Sequence, residues 1–416
     1  MLFLKRSKMK KMNLTLGVMA VLLLAGAAAH AQVAPAATRS ALPVNGNLHY
    51  DLRYTQSTEF SSGGQGDYQT SGVSGDVNYA NGKQRLPFGL TYNGGYNWNL
   101  SGSSYNSGYY QNLSLSQGLV ERHWNLQLND GMSFSPQAPT TEYIGVSGIT
   151  SPGQTVLTVN TRSIGNNASA SFGRTLSRAM SLNLSGSWNI LRYPDGKGQD
   201  TDGRSASGGI SYRLDARNSL SGQYAYSYYS YGGQDLTISS NSAVMGWTRT
   251  WNRRLNTSVS AGPQWVGSSD SSIEPNSLHA SVSASAGYKF NFGTTSLSYS
   301  HGAGGGGGYM LGAETDDFSA SLSRAFGRNY SASVSGSYMR NSSLTLTGVN
   351  AGTKISGEYA GAQVSRQLGR HFSAYASYSA SDQDTSGELS SNVLNYLTQS
   401  VNFGISYSPR EIHFRR

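Results

Sequence analysis

The sequence predicts an all-β fold: a transmembrane antiparallel up-and-down β-barrel of about 18 strands (16–18). Three observations predict it. Apolar residues alternate with small polar ones over most of the chain, the alternating runs come in pairs around short turns, and one turn motif repeats. This alternation is expected where one face of a sheet meets lipid and the other meets water.

The clearest hairpin spans residues 322–338, LSRAFGRNYSASVSGSY. Apolar residues occupy alternate positions before the turn at 327–329 and again after it, and most of the residues between them are serine. A Gly/Asn turn between two such runs indicates a β-hairpin.

The turn of this hairpin belongs to a motif, R-x-x-x-R, that recurs along the chain. Its arginines are Arg174 and Arg178, Arg213 and Arg217, Arg249 and Arg253, Arg324 and Arg328, and Arg366 and Arg370. Weaker copies occur at 289–293, 81–84 and 121–123. Because only 13% of the residues are charged, five such turns indicate a repeated structural unit.

The N-terminal residues predict a secretory signal peptide over residues 1–31. Five basic residues precede an apolar run over 14–28, and Ala29-His30-Ala31 is a typical cleavage site. The alternative is an uncleaved membrane anchor. Removal of this segment lowers the formal charge from +9 to +4, so the high pI does not indicate nucleic-acid binding and no nucleic-acid partner is expected. The chain has no cysteine, which excludes disulfides and Cys-based metal or redox sites.

The strands follow in order after a short periplasmic lead-in over 32–45. Strand one carries Leu48, Tyr50, Leu52 and Tyr54; strand two Val73, Val77 and Tyr79; strand three runs over 88–100; strands four and five lie around 113–115 and 124–134; strand six carries Ala168, Ala170 and Phe172; the repeats supply strands seven to seventeen; and strand eighteen carries Val401, Phe403, Ile405 and Tyr407. The barrel domain therefore covers 46–409, and 410–416 is either a tail or the end of the last strand.

Turns and loops predict the orientation of the barrel. Tight turns centre near 83, 122, 178, 216, 253, 292, 328 and 369, which leaves both chain ends on the tight-turn side. Long loops are expected at 59–67, 101–108, 136–163, 194–203, 232–240, 267–276, 302–316, 341–353 and 383–396. Acidic residues gather in these loops and arginines in the turns, while Tyr96, Trp98, Trp188, Tyr193, Trp247 and Trp251 suit aromatic girdles.

Two interpretations of the charges remain open. They can be an ordinary solvated surface. Alternatively, the turn arginines of the five motifs bind lipid phosphates of the inner leaflet, and the loop acids hold divalent cations against lipopolysaccharide. Within several motifs the first arginine shares its register with the lipid-facing residues, from which a long side chain can reach the headgroups.

Taken together, the signal peptide, the repeated amphipathic hairpins and the aromatic-rich segment 401–407 resemble a Gram-negative outer-membrane β-barrel of porin-like type. The resemblance covers 46–409 and rests on architecture, without a family-specific motif. It departs at the end, where nine residues follow Tyr407. It implies a location in the cell outer membrane, contact with outer-membrane lipids and lipopolysaccharide, insertion by the barrel-assembly machinery, and no cofactor; oligomerisation is left open.

The resemblance also implies a pore constriction. In classical porins a long loop folds inward, and here the longest predicted loop, 136–163, offers Glu142, Tyr143 and Arg162. The alternatives are an ordinary outer loop or an additional hairpin through 155–159. Inward positions are mostly Ser, Asn, Gln and Thr; Arg213 and Lys289 have inward register, either as lumen groups or packed inside the wall. Such a lining suits neutral or mildly anionic small solutes.

No catalytic or metal-binding constellation is evident. The histidines are scattered, and Ser300 and His301 are strand neighbours that point to opposite faces. The glycine run 304–308 lacks the Lys-Ser/Thr of a phosphate loop and is interpreted as a surface loop. The leading hypothesis is a passive diffusion channel for small polar solutes. The alternatives are a surface, structural or adhesion barrel plugged by its loops, and an exopolysaccharide export barrel, which sparse inward charge disfavours.

Overall fold

The structure is a computed structural model that describes residues 46–62, 67–81, 83–102, 107–135, 162–196, 200–232, 236–270, 276–307, 310–344, 352–386 and 396–414. The predicted signal peptide and lead-in, and the candidate residues Glu142 and Tyr143, lie outside the described residues.

The described chain forms eighteen long strands and one short one. They are β1 (Gly46–Ser62), β2 (Tyr68–Ala80), β3 (Phe88–Ser101), β4 (Gly108–Val120), β5 (Trp124–Ser135), β6 (Ser163–Thr175), β7 (Met180–Arg192), β8 (Thr201–Arg213), β9 (Asn218–Tyr231), β10 (Thr237–Thr250), β11 (Leu255–Ser268), β12 (Ser277–Lys289), β13 (Gly293–Gly307), β14 (Met310–Phe326), β15 (Tyr330–Ser343), β16 (Lys354–Gln367), β17 (Phe372–Ser386), β18 (Tyr396–Tyr407) and β19 (Ile412–Phe414). No helix in the described part of the chain is long and apolar enough to cross a membrane.

The sheet is closed. Each long strand pairs antiparallel with the next, and β18 pairs with β1 from Leu52 opposite Tyr407 to Ser62 opposite Leu397. The predicted eighteen-stranded up-and-down barrel is confirmed, and the eight predicted tight turns all join consecutive strands. Closure leaves no free sheet edge, so the backbone groups of the wall find partners within the sheet.

The barrel wall has two chemically different faces. On β7, Leu184 lies opposite Phe172 of β6 and Gly208 of β8, and it is exposed on the outer face. The next residue, Ser185, faces the lumen and exchanges a 2.7 Å hydrogen bond with Ser207. The same alternation of outward apolar and inward hydroxyl residues runs around the wall, as the sequence predicts.

A side-chain contact crosses the seam at which the barrel closes. On the lumen face, Thr55 of β1 lies opposite Gly404 of β18. The ring of Tyr375, on β17, covers Gly404 so closely that a Cβ there would collide with it, and its hydroxyl lies 2.7 Å from Thr55 Oγ1. Glycine at 404 therefore lets Tyr375 lie across β18 and join β17 to β1.

Short polar side chains stabilise the tight turns. The Asp215 carboxylate accepts hydrogen bonds from the backbone N–H groups of Arg217 (2.6 Å) and Asn218 (2.8 Å), and from the Asn218 amide (2.7 Å). The Asn218 side-chain bond and the two backbone bonds hold the pKa of Asp215 below its usual value. Asn252 and Ser177 accept backbone N–H groups in the same way in two other turns.

The chain beyond Tyr407 returns to β1. Ser408 N donates to His371 O (2.7 Å), and the short strand β19 then pairs with the start of β1, where Phe414 lies opposite Gly46. Pro409, which lacks a backbone N–H, falls in the interruption between β18 and β19. The barrel wall therefore continues on this side after a break in the ladder.

One predicted loop is wrong. The sequence analysis placed a long loop at 302–316 and a glycine-rich surface loop at 304–308, but β13 extends to Gly307 and β14 begins at Met310. The pairs Gly302–Thr315, Gly304–Ala313 and Gly307–Met310 all belong to the ladder between these two strands. Glycine has no side chain to show alternation, so sequence periodicity could not reveal a strand that backbone pairing alone defines.

The two faces predict different energetic costs for an introduced arginine. Replacement Leu184→Arg places a guanidinium in the apolar outer band and is expected to cost about 2–4 kcal/mol of folding free energy in lipid. Its control, Ser185→Arg, faces the lumen and is expected to cost less than about 1 kcal/mol. Urea titration of folding in lipid vesicles measures both, and equal losses for the two variants would contradict the assignment of faces.

Candidate functional site

The candidate functional site is the barrel lumen, which is lined largely by paired serine hydroxyls. Across β11 and β12, the Oγ atoms of Ser258 and Ser285 lie 2.8 Å apart, and those of Ser260 and Ser283 lie 2.7 Å apart. A further ladder joins β13 and β14, where Ser296 and Ser321 are 2.7 Å apart. Hydroxyls both donate and accept hydrogen bonds, so this surface is wetted and carries no net charge.

A charged cluster interrupts this lining on β1 and β2. Asp51 and Asp76 lie directly opposite each other in the ladder. Arg53 reaches both, with Nη2 at 3.0 Å from Asp76 Oδ1 and 3.7 Å from Asp51 Oδ2, and His49 Nε2 lies 3.2 Å from Asp51 Oδ1. We call these four residues the β1–β2 cluster. The cluster contains two carboxylates and one guanidinium.

The β1–β2 cluster was not predicted from the sequence, although the signal for it was present. The apolar residues assigned to strand one are Leu48, Tyr50, Leu52 and Tyr54. The residues between them are therefore inward by parity, and they are His49, Asp51 and Arg53. What the sequence did not supply is the register that sets Asp76 beside them.

Tyrosine rings lie close to the inner wall next to the cluster. Tyr110, on β4, lies opposite Gly95 of β3, and a Cβ at Gly95 would come within 2.9 Å of its ring. Tyr375 covers Gly404 in the same manner. An aromatic ring that covers a wall glycine stabilises the sheet and keeps its own bulk near the wall, which leaves the space beyond it to solvent.

The outer end of β13 leaves the wall. Its pairing with β12 ends at His301, opposite Val282, whereas its pairing with β14 continues to Gly307. Beyond His301, Ala303 belongs to a buried apolar cluster whose other members come from the lumen side of neighbouring elements: Tyr231, Leu236, Ile238 and Val266. We call residues 302–307 and 310–316 the inner hairpin, because it packs against the inner surface of the barrel.

Gln264 of β11 attaches the inner hairpin to the wall. It shares the inward register of Ser258 and Ser260 and is 7% exposed. Its Nε2 donates to Ala303 O (2.5 Å), and its Oε1 accepts from Ala303 N (2.9 Å). The amide thus supplies the donor and acceptor that a neighbouring strand would otherwise present to Ala303.

Two histidines and two carboxylates form a second attachment between the inner hairpin and the barrel wall. Glu314 Oε1 lies 3.2 Å from His279 Nδ1, on β12, and 3.4 Å from His301 Nε2. Asp316 Oδ1 lies 2.8 Å from His301 Nδ1 and accepts the Tyr299 hydroxyl at 3.0 Å. No group of His, Asp or Glu side chains arranged to hold a metal ion occurs among the described residues.

Of the sequence-predicted lumen residues, the structure describes Arg162, Arg213 and Lys289. Arg213 and Lys289 have the inward register at the turn ends of β8 and β12, opposite Ser219 and Thr294, and both are exposed. Arg162 directly precedes β6. A constriction formed by Arg162 with Glu142 and Tyr143 stays a prediction.

The first arginine of several turn motifs lies against an aromatic ring on the outer face. The guanidinium carbon of Arg249 is 3.9 Å from the centre of the Trp251 ring, and that of Arg324 is 4.2 Å from the Phe292 ring. The guanidinium carbon of Arg366 is 5.1 Å from the centre of the Tyr330 ring. Arg174 lies opposite Trp124 in the ladder between β5 and β6. The second arginines lie in the turns themselves: Arg178, Arg217, Arg253, Arg328 and Arg370. Their contact with lipid phosphates stays a prediction.

Some loop acids already have protein partners. Arg192 Nη2 lies 2.6 Å from Asp202 Oδ2, and Arg192 Nε lies 4.0 Å from Asp200 Oδ2. Divalent-cation bridges from such acids to lipopolysaccharide remain a prediction.

Removal of Gln264 should release the inner hairpin. Because the chain has no cysteine, Ala303→Cys introduces a single thiol at a position that is 8% exposed, and slow maleimide labelling is expected. Adding Gln264→Ala removes the two hydrogen bonds to Ala303, worth about 1 kcal/mol each, so labelling should accelerate roughly tenfold or more. Ser285→Cys, exposed in the lumen, is the control and should label equally fast with either residue at 264; unchanged labelling at 303 would contradict the anchoring role.

Comparisons with known proteins find likeness in the fold. No protein-family model and no curated protein matches the sequence. Among solved structures, the chain is similar to Acinetobacter baumannii OccAB3 (11% identity, TM-score 0.45, covering 88% of this chain and 100% of that one) and to Pseudomonas aeruginosa OccK2 in complex with glucuronate (11%, 0.47, 87% and 98%). It is also similar to Pseudomonas aeruginosa OpdK with vanillate (10%, 0.45, 88% and 99%).

A likeness at this level of identity carries no argument about solute or activity. The assignment of the chain rests instead on its own closed ladder of eighteen strands, its apolar outer face and its hydroxyl-lined interior. By this architecture, the chain forms an eighteen-stranded transmembrane β-barrel of the up-and-down type.

Proposed function

We propose that the protein is a passive diffusion channel for small polar solutes across the outer membrane. The observation that carries this proposal is the closed ring of eighteen strands around a hydroxyl-lined interior. Barrels of 16–18 strands leave an aqueous channel, whereas eight-stranded barrels are filled by their own side chains. A neutral, hydrogen-bonding lining replaces part of a solute's hydration shell without binding it strongly, and weak binding favours passage.

The inner hairpin is proposed as the narrow part of this channel. It lies on the lumen side of β9–β11, where Ala303 packs on Ile238 and Val266. A second layer of backbone inside the wall reduces the open cross-section at that level. The segment 136–163, with Glu142, Tyr143 and Arg162, is kept as an additional candidate for the constriction.

Shortening the inner hairpin should widen the channel. Replacement of residues 305–312 by Asn-Gly closes the ladder at the Gly304–Ala313 pair with a two-residue turn. Single-channel conductance in planar bilayers is expected to rise roughly 1.5-fold or more, because a pore's narrowest section dominates its resistance.

The comparison variant removes residues 137–160 and tests the other candidate constriction. If only this second variant changes conductance, the narrow part belongs to 136–163 and not to the inner hairpin. If folded wild-type protein shows no conductance in planar bilayers, the channel proposal is wrong.

The inner hairpin also favours a second candidate, a surface, structural or adhesion barrel whose lumen is closed. Packing of the hairpin on the inner wall is what a plug requires as well as what a constriction requires. Liposome swelling with sugars of graded size separates the two, since a plugged barrel admits none of them. Roles for lipopolysaccharide and the barrel-assembly machinery rest on the architectural resemblance alone.

Catalysis is not part of the proposal. Ser300 and His301 have opposite registers in β13, because Ser300 pairs with inward Ser283 and His301 with outward Val282. His301 is directed to Asp316 and Glu314, and a nucleophile–base pair with Ser300 is not formed.

A further inference from the structure

We propose that the channel conducts small cations and positively charged solutes in preference to anions. This inference rests on the proposed channel function and specifies its substrate class. It differs from the sequence-based expectation of neutral or mildly anionic solutes, because the strand register shows which charges share the lumen.

The charges with inward register are mostly acidic over the middle and outer part of the described wall. The carboxylates there are Asp51, Glu59, Asp76 and Asp317, and the only guanidinium among them is that of Arg53. Because Glu59 is only 3% exposed, the acids that face the lumen are Asp51, Asp76 and Asp317. Two carboxylates of the β1–β2 cluster against one guanidinium, together with Asp317, give this part of the lumen a negative balance.

Within the β1–β2 cluster, the Arg53 guanidinium is already paired with both carboxylates. Its Nη2 lies 3.0 Å from Asp76 and 3.7 Å from Asp51, so its charge is compensated before any solute arrives. An anion at this point would have to displace a carboxylate from the guanidinium and approach a second carboxylate. A cation instead meets the uncompensated negative charge of the pair.

Asp317 supplies negative charge on a different part of the wall. It lies on β14 in the inward register, opposite Ser300 of β13 and Met339 of β15, and is half-buried. No Lys or Arg lies opposite it on either neighbouring strand. A charge facing a low-dielectric wall acts over a longer distance than the same charge on an open surface.

The inward basic residues at the turn end do not offset this balance. Arg213 and Lys289 are exposed and lie at the last positions of β8 and β12. Charges in contact with bulk electrolyte are screened within about 8–10 Å at physiological ionic strength. They therefore influence the turn-side mouth of the pore and leave its middle to the acids.

Paired serines make up much of the remaining lining, and they favour neither sign. Their hydroxyls can turn either the oxygen or the hydrogen toward a passing ion. The few fixed charges consequently decide which ion is preferred.

The test is the reversal potential of single channels in a KCl gradient. Wild-type protein is expected to show cation preference, with a K⁺/Cl⁻ permeability ratio above one. Replacement of both cluster acids, Asp51→Asn and Asp76→Asn, leaves Arg53 uncompensated and should lower the ratio roughly threefold or more, through or towards one. Asp317→Asn is a second, separate variant with a smaller expected decrease, and it serves if the double variant does not fold.

The matched control is Asp130→Asn. Asp130 is an exposed carboxylate on β5 that shares the outward register of Leu128 and Met132 and accepts a 2.9 Å hydrogen bond from the Asn166 amide. Its removal changes the protein's charge by the same amount per residue but outside the lumen. The permeability ratio of this variant should equal that of the wild type.

The outcomes separate the two proposals. A wild-type pore that prefers Cl⁻, or a ratio unchanged in both the double variant and Asp317→Asn, overturns cation preference and leaves the channel proposal standing. A folded wild type without conductance overturns the channel proposal and this inference with it. A ratio lowered equally by Asp130→Asn also contradicts the inference, because the effect would then not originate in the lumen.

Discussion

The structure depends on one constraint: within a bilayer every backbone N–H and C=O needs a partner, because lipid offers none. An open sheet leaves two unpaired edges, so the strands must form a ring. The seam between β1 and β18 is therefore as important as any other pairing in the barrel, and Thr55, Gly404 and Tyr375 reinforce it from the lumen side. The return of β19 to β1 extends the same pairing after Pro409 interrupts the wall.

The same constraint explains how the inner hairpin is held inside the barrel. When β13 leaves β12 at His301, its backbone loses a partner strand. Gln264 restores both hydrogen bonds at Ala303 with a single side-chain amide, and apolar packing excludes water around them. A hairpin inside the barrel is thus tolerated because its freed backbone groups are satisfied locally. His279, through Glu314, attaches the hairpin at a second point.

The two faces of the wall divide the energetic and functional roles. Outward residues are apolar and interact with lipid, and the arginines near the turns lie on aromatic rings at the edge of this band. Inward residues are mostly small and hydroxylated, so few charged side chains line the lumen. Under the proposed cation preference, each of the few inward charges has a large effect on the K⁺/Cl⁻ permeability ratio. Asp51, Arg53 and Asp76 lie on adjacent strands, so this effect is concentrated in one place.

The sequence by itself determined the fold class, a strand number of 16–18, the tight turns and the orientation of both faces, because period-two alternation and the R-x-x-x-R turns are local signals. It also contained the inward parity of His49, Asp51 and Arg53. Only the tertiary structure decided which strands become neighbours across long sequence separations: Asp51 beside Asp76, and Gln264 beside Ala303, 39 residues away. The inner hairpin escaped sequence analysis because glycines carry no alternation, and its position depends on a side chain from another strand.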